Sequence, residues 1–173
     1  DAMTAKGYTR DELLDAGLVS RSEKGRIYDR FRNRVMFPII DVRGNVIAFG
    51  GRVMDDSMPK YLNSSDTPVF KKSRNLFALN FARASCAEEM ILCEGYMDVI
   101  AMHAAGFTNA VATLGTALTP EQARIMARYT KRVLISYDSD AAGQKAANRA
   151  IGILGEVGLD VRVLRIEGAK DPD

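Results

Sequence analysis

Two carboxylates stand two residues apart in the stretch ISYDSDAAG: Asp138 and Asp140, after the apolar run Val133-Leu134-Ile135. In an extended chain that spacing sends both side chains to one side. Like charges so close repel unless water, a basic group or a cation satisfies them. A further acid, Glu94, follows another apolar run in ILCEGYMD, and Asp171 and Asp173 stand in DPD. Carboxylates without His or Cys among them are hard oxygen donors, which select Mg2+ or Mn2+. Two such ions, roughly 3.5–4 Å apart, can clamp the attacking and leaving oxygens of a phosphoryl transfer. The Asp138/Asp140 pair is spaced to bridge them, and Glu94 can serve as ligand or base. Gly95 and Gly143 follow the acids, where a missing side chain allows close backbone approach.

The complementary charges lie upstream. DRFRNRVMFPI sets Arg30, Arg32 and Arg34 at alternating positions. If extended, the stretch puts them on one face with Phe31 opposite, an arrangement that suits a single-stranded nucleic-acid backbone. FGGR offers Arg52, PKYLNS offers Lys60, Tyr61, Asn63 and Ser64, and FKKSR offers Lys71, Lys72 and Arg74. Lysines beside a divalent-cation site commonly hold triphosphate oxygens. Residues 1–84 carry 15 Lys/Arg against 10 Asp/Glu and residues 85–173 carry 9 against 12, so a polyanion is expected on the first half and cations on the second.

The elements that must position these residues can be read from periodicity and caps. In the first half Thr9 and Glu12 form a capping box for a short helix ended by Gly17. Val35–Asp41 and Val46–Val53 flank the turn residues Arg43-Gly44-Asn45 as a hairpin. Tyr61-Leu62 and Val69-Phe70 read as short strands and Leu76–Ala84 as a helix. The second half alternates: strand Met90–Cys93, helix Met97–Ala105, strand Ala110–Leu114, a helix opened by Thr119-Pro120-Glu121-Gln122, strand Arg132–Tyr137, helix Ala141–Val157 and strand Asp160–Ile166. That order predicts a parallel sheet with right-handed crossovers. Ligands bind beyond the C-terminal strand ends of such sheets, where Glu94, Asp138, Asp140, Asp171 and Asp173 are all expected. Helix caps would account for Asp140 and Asp98 singly, but not for acids after three strands at one edge.

At 173 residues, 47% apolar and 27% charged, the chain is ordinary for a soluble globular protein, and nothing in it reads as a signal peptide or membrane span. Two cysteines, Cys86 and Cys93, and one histidine, His103, match no zinc pattern. They read as reduced thiols, which argues against a His/Cys metal site or a Ser-His-Asp triad.

Taken in order, RFRNRVMFPI, GNVIAFGGR, PKYLNS, EGYMDV, LGTALT, YDSDAAG and DPD resemble the RNA polymerase core of bacterial DnaG-type primases over essentially the whole chain. EGYMD with DSDAAG alone resembles the wider Toprim superfamily. The resemblance implies an α/β fold: a basic, mixed α+β subdomain over residues 1–84 packed on a Toprim subdomain, a Rossmann-like parallel sheet, over 85–173, with the active site between them. It implies template-directed synthesis of RNA primers from NTPs on single-stranded DNA, with two or more Mg2+ or Mn2+ ions. Glu94, Asp138 and Asp140 map onto the family's metal-binding catalytic set, Asp171 and Asp173 onto a further acidic pair, and Asp98 onto an acid that is near the metals or structural. Arg52, Lys60 and Lys72 map onto nucleotide-contacting residues, with Tyr61 and Asn63 shaping their pocket. Arg30, Arg32, Arg34 and Arg74 remain as nucleic-acid contacts.

The same resemblance implies a cytoplasmic protein of the bacterial replication fork. Its full-length form would meet the replicative helicase and the single-stranded-DNA-binding protein. It implies a zinc-binding domain before this segment and helical parts after it, so this segment alone is expected to be weakly active or inactive, with no zinc. Two other readings share the acids: a different Toprim enzyme, such as a topoisomerase or nuclease, and a non-enzymatic Toprim module that binds single-stranded DNA. The basic block from Arg30 to Arg74 is what neither needs in this form.

Overall fold

The computed structural model describes residues 2–164. Backbone packing divides the chain into two units, one formed by Asp1–Ile40 with Asn45–Lys71, the other by Asp41–Gly44 with Lys72–Asp173.

The first unit runs α1 (Ala2–Ala5), α2 (Arg10–Asp15), β1 (Val19–Arg21), β2 (Ile27–Asp29), β3 (Arg34–Ile40), β4 (Val46–Val53) and β5 (Tyr61–Asn63). The capping box forms as read: Thr9 N–H donates to the Glu12 carboxylate at 2.7 Å and Glu12 N–H donates to Thr9 Oγ1 at 3.2 Å. The Thr9 N–H and then the Thr9 hydroxyl, both donating to the Glu12 carboxylate, hold it below its ordinary value. Gly17 follows α2 with φ +67°, a conformation that costs a residue without Cβ least. β1 and β2 make a two-stranded antiparallel ribbon, and β3-β4-β5 an antiparallel sheet with a register shift at Ile39/Ile40. The β1/β2 ribbon escaped the sequence reading because three-residue strands carry too little alternation. Val69-Phe70 is not a strand. Phe70 is buried in a loop, its N–H donating to Thr67 Oγ1 at 3.0 Å.

The second unit holds a 3-10 turn (Lys72–Arg74), α3 (Leu79–Ala82), β6 (Met90–Cys93), α4 (Tyr96–Ala104), β7 (Ala110–Ala112), α5 (Pro120–Met126), β8 (Arg132–Ser136), α6 (Ala141–Glu156) and β9 (Asp160–Val163). Its four strands are all parallel, in the order β7-β6-β8-β9. Period-two alternation sorts their side chains. Met90, Leu92, Val111, Val133 and Ile135 pack with Leu118, Met126, Ala147 and Leu154, while Ile91, Cys93, Ala110 and Ala112 pack with Val99. Full burial of each large aliphatic chain contributes about 1.5–3 kcal/mol. α6 seats itself on the first group through Gly143, Ala147, Ala150 and Leu154, a spacing that lies along one helix face.

The expected helix over 76–84 shrinks to Leu79–Ala82. Phe77 instead bridges to Ala112, and Ala78 takes a left-handed φ of 63°. Leu76, Leu79 and Ala82 are buried in the sheet's own core, so by packing residues 72–84 go with the second unit. Among the described residues no helix is long and apolar enough to cross a membrane.

Candidate active site

The end of β6 and the end of β8 are neighbours, with Cys93 in register with Ser136. Glu94 leaves the sheet directly after β6 and Asp138 two residues after β8, so parallel pairing alone brings these acids to one edge. They are joined there: Asp138 N–H donates to Glu94 Oε2 at 3.2 Å. Glu94 is exposed and Asp138 half-buried. Below them, burial pushes the Cys93 thiol up to about 12, with the negative charge of Asp98 adding to the effect. Burial likewise raises the Tyr137 hydroxyl, with Glu94 contributing second.

The two glycines differ in role. At Gly143 a Cβ would collide with the Asp138 carbonyl, so the start of α6 is pressed against the Asp138 backbone in a way no side chain permits. At Gly95 a Cβ would meet only the Asp98 carboxylate at 3.6 Å, an ordinary contact, so close approach does not explain this glycine. Gly95 N–H donates to Asp98 Oδ2 at 2.8 Å, and Asp98, buried in the first turn of α4, braces the loop that carries Glu94.

Asp140 behaves as a helix cap. It stands at the N-cap of α6 and accepts the Gly143 N–H at 2.9 Å. Among the described residues no three His, Cys, Asp or Glu side chains are gathered around one point that could hold a metal ion. The reason is local: Asp140 is turned to its own helix, while Glu94 takes the Asp138 amide. The oxygen-only chemistry of Glu94 and Asp138 fits a hard divalent cation; among the described residues no third ligand joins them. Asp171 and Asp173 lie outside the described residues.

Glu94 also borders a cavity of about 350 Å3 shared with Thr113, Thr116, Leu118, Tyr137 and Arg149. Sequence reasoning missed Arg149, which sits mid-helix in α6 with no motif around it. Thr113 and Thr116 lie in and beside LGTALT, a motif that had no assigned role.

In the first unit, Arg30, Arg32 and Arg34 do share one feature, but not through an extended strand. Asn33 takes φ +51° and the link between β2 and β3 bends. The three arginines nonetheless line one cavity of about 530 Å3 with Tyr28, Met58 and Leu62. Arg30 Nη2 donates to the Asn63 carbonyl at 2.7 Å, while its buried Nε has no acceptor among the described residues. Arg34 Nη1 reaches the Lys60 carbonyl at 3.3 Å, and the exposed Arg32 guanidinium lies 5.4 Å from the Tyr28 ring centre. The Phe31 ring lies 6.0 Å from the Arg30 guanidinium and edge-on to Phe49 with ring centres 6.5 Å apart.

Arg52 on β4 pairs across from Tyr61 on β5. The Arg52 guanidinium is 5.9 Å and the Lys60 Nζ 6.0 Å from the Tyr61 ring centre, so two cations stand by one aromatic ring. Neither makes an ion pair with a described residue, and Arg52 Nε is buried without an acceptor. Asn63 follows on the same strand. Lys72 and Arg74 belong to the second unit, on its 3-10 turn.

Comparison with known proteins identifies the family. Residues 1–83 match the family model described as the DNA primase catalytic core, N-terminal domain, and residues 91–173 match one described as Toprim-like. A DNA primase of Clostridium acetobutylicum is 54% identical over 99% of this chain, which spans 29% of that relative's length. A crystal structure of a primase domain from Pseudomonas aeruginosa superposes with a TM-score of 0.88 at 48% identity, covering 94% of this chain and 52% of the other. A DnaG primase catalytic domain bound to ssDNA also gives 0.88, at 41% identity over 100% of this chain and 58% of the other.

Proposed function

Because this chain belongs to the catalytic-core family of DnaG-type DNA primases, we propose that it supplies the chemistry of primer synthesis: NTP-dependent nucleotidyl transfer templated by single-stranded DNA. The observation that carries this reading is the joined pair Glu94 and Asp138 at the C-terminal edge of a parallel sheet. Arg52 and Lys60, two cations beside the Tyr61 ring with no ion pair among the described residues, support it.

In this reading Glu94, Asp138 and Asp140, with Asp171 and Asp173, hold two or more divalent cations, Mg2+ or Mn2+. When bound, such ions supply charge neutralisation at the triphosphate and favour ionisation of the attacking 3′-hydroxyl. The hydroxyl oxygen bonds to the α-phosphorus of the incoming NTP, pyrophosphate leaves, and the hydroxyl proton passes to water. Arg52, Lys60 and Lys72 take the negative charge of the triphosphate, and Tyr61 and Asn63 shape the surroundings of the first two. Most of the rate comes from positioning and from fixed charge facing the reacting phosphate. Arg30, Arg32 and Arg34, with Arg74, hold phosphates of the template strand. Their contact should weaken as salt rises, since each neutralised phosphate releases counterions.

One solved relative is described as bound to ssDNA, the template class proposed here. In the full-length protein the replicative helicase and single-stranded-DNA-binding protein are the proposed partners, at the replication fork in the bacterial cytoplasm. No zinc is proposed for this segment.

The test is incorporation of labelled NTPs on a defined single-stranded template by the full-length protein that carries this chain, with and without Mg2+ or Mn2+. Cation-dependent primers are expected. Template binding with no incorporation would make this a binding module, and supercoil relaxation or template degradation would make it another Toprim enzyme.

A further inference from the structure

The 3-10 turn that carries Lys72 is three residues long and has no helix behind it. It is held from 50 residues away. Gln122, completely buried, donates from Nε2 to the carbonyl that opens this turn, Lys72 O at 2.9 Å, and to the one just after it, Asn75 O at 2.8 Å. Its Oε1 accepts the Thr119 N–H at 3.0 Å, so both the amide nitrogen and the amide oxygen are engaged. Thr119 Oγ1 accepts the Gln122 N–H at 3.2 Å and donates to Ser73 O at 2.7 Å. One capping box therefore grips three carbonyls in and just after the turn, those of Lys72, Ser73 and Asn75.

A cap needs only Thr119 and an acceptor at Gln122. The amide's two donors are not required to start α5; they are spent on the turn. The segment that carries the grip also has a second contact. Its upstream part, Thr113 through Leu118, lines the cavity that Glu94 borders. One short connection between β7 and α5 thus touches Glu94's surroundings at one end and holds the Lys72 backbone at the other.

We propose that Thr119 and Gln122 are positioning residues for nucleotide binding, fixing the turn that presents Lys72 relative to the Glu94 edge. This rests on the reading that Lys72 takes the triphosphate. Gln122 touches no substrate in this scheme; it acts through the Lys72 backbone.

The test uses the full-length protein in steady-state primer synthesis, together with hydrogen exchange at residues 72–75. Gln122→Met keeps the side-chain volume but removes the amide, and should raise the KM for NTP about tenfold with a smaller change in kcat. Exchange at 72–75 should quicken. Thr119→Val should act in the same direction, and Thr119→Ser, which restores the hydroxyl, should return KM to wild type. Lys72→Met should raise KM, and adding Gln122→Met to it should raise KM no further, because both changes act through one contact. If Lys72→Met raises KM while both Gln122→Met and Thr119→Val leave it at wild type, the positioning role is overturned. If Lys72→Met itself leaves KM unchanged, the nucleotide assignment of Lys72 has failed, and the positioning proposal falls with it. Should Gln122→Met not fold, the Thr119 pair decides between the same outcomes.

Discussion

The backbone N–H of Asp138 donates to the Glu94 carboxylate at 3.2 Å, tying the loop after β8 to the loop after β6. The two residues are 44 positions apart, and only parallel pairing of their strands makes the bond possible. An amide donor beside two acids relieves part of their repulsion. It also sets how far apart their carboxylates can stand.

If both acids serve nucleotidyl transfer, Glu94→Gln and Asp138→Asn should each cut primer synthesis by at least about 100-fold, because fixed charge facing the reacting phosphate is lost. Circular dichroism should show the fold retained. Activity within twofold of wild type in both variants would remove these residues from the site.

Asp140 can be made to separate its two roles. Asp140→Asn keeps an N-cap acceptor for Gly143 N–H, so the melting temperature should hold while activity falls. Asp140→Ala should lower activity and also destabilise by about 0.5–2 kcal/mol through the lost cap. Full activity in the Asn variant would leave Asp140 as a cap and nothing more.

Gly143→Ala places a methyl group against the Asp138 carbonyl, where backbone and not a flexible side chain must give way. Denaturant titration should show a loss of about 1–3 kcal/mol, with activity falling because the moved segment carries Asp138. Gly95→Ala, which meets only an ordinary contact, should be far milder in both measurements.

Arg52→Met should raise the KM for NTP about tenfold. The guanidinium has no ion pair among the described residues and a buried Nε without an acceptor, so stability should change by no more than about 0.5 kcal/mol. A large loss of stability with unchanged KM would mark Arg52 as structural.

Cys93 and Tyr137 set an alkaline limit. Burial raises the Cys93 thiol from 9.0 to about 12 and raises the Tyr137 hydroxyl above 10.0. Groups raised in the fold ionise first in the unfolded chain. Their stabilising contribution is complete below pH 9 and is lost as pH climbs from about 9 toward 12. Chemical-denaturation midpoints should therefore fall across that window, and Cys93→Ala should flatten the fall. Thiol labelling at pH 8 should be slow in the native protein and fast after unfolding.

Legibility followed the range of the interaction. The Thr9 and Thr119 capping boxes, the Gly44 turn and the four parallel strands were readable because a cap, a turn or a buried strand is written in a few adjacent residues. Phe70 misread as a strand because an apolar pair in a loop looks the same locally. The helix over 76–84 failed because Phe77 found a bridge partner in Ala112, which no local pattern announces.

The sequence by itself determined the chemistry available: oxygen donors without thiolate or imidazole, a basic block upstream, and strand order that sends Glu94 and Asp138 to one sheet edge. These follow from side-chain type and from the right-handed linking of parallel strands. Tertiary structure alone decided the rest. It gathered Arg30, Arg32 and Arg34 around a bend at Asn33 and set Arg52 against Tyr61 across two strands. It also made Gln122 the holder of the Lys72 turn. Each depends on partners distant in sequence or on a backbone angle that neighbours impose, and neither is encoded in the spacing of the residues concerned.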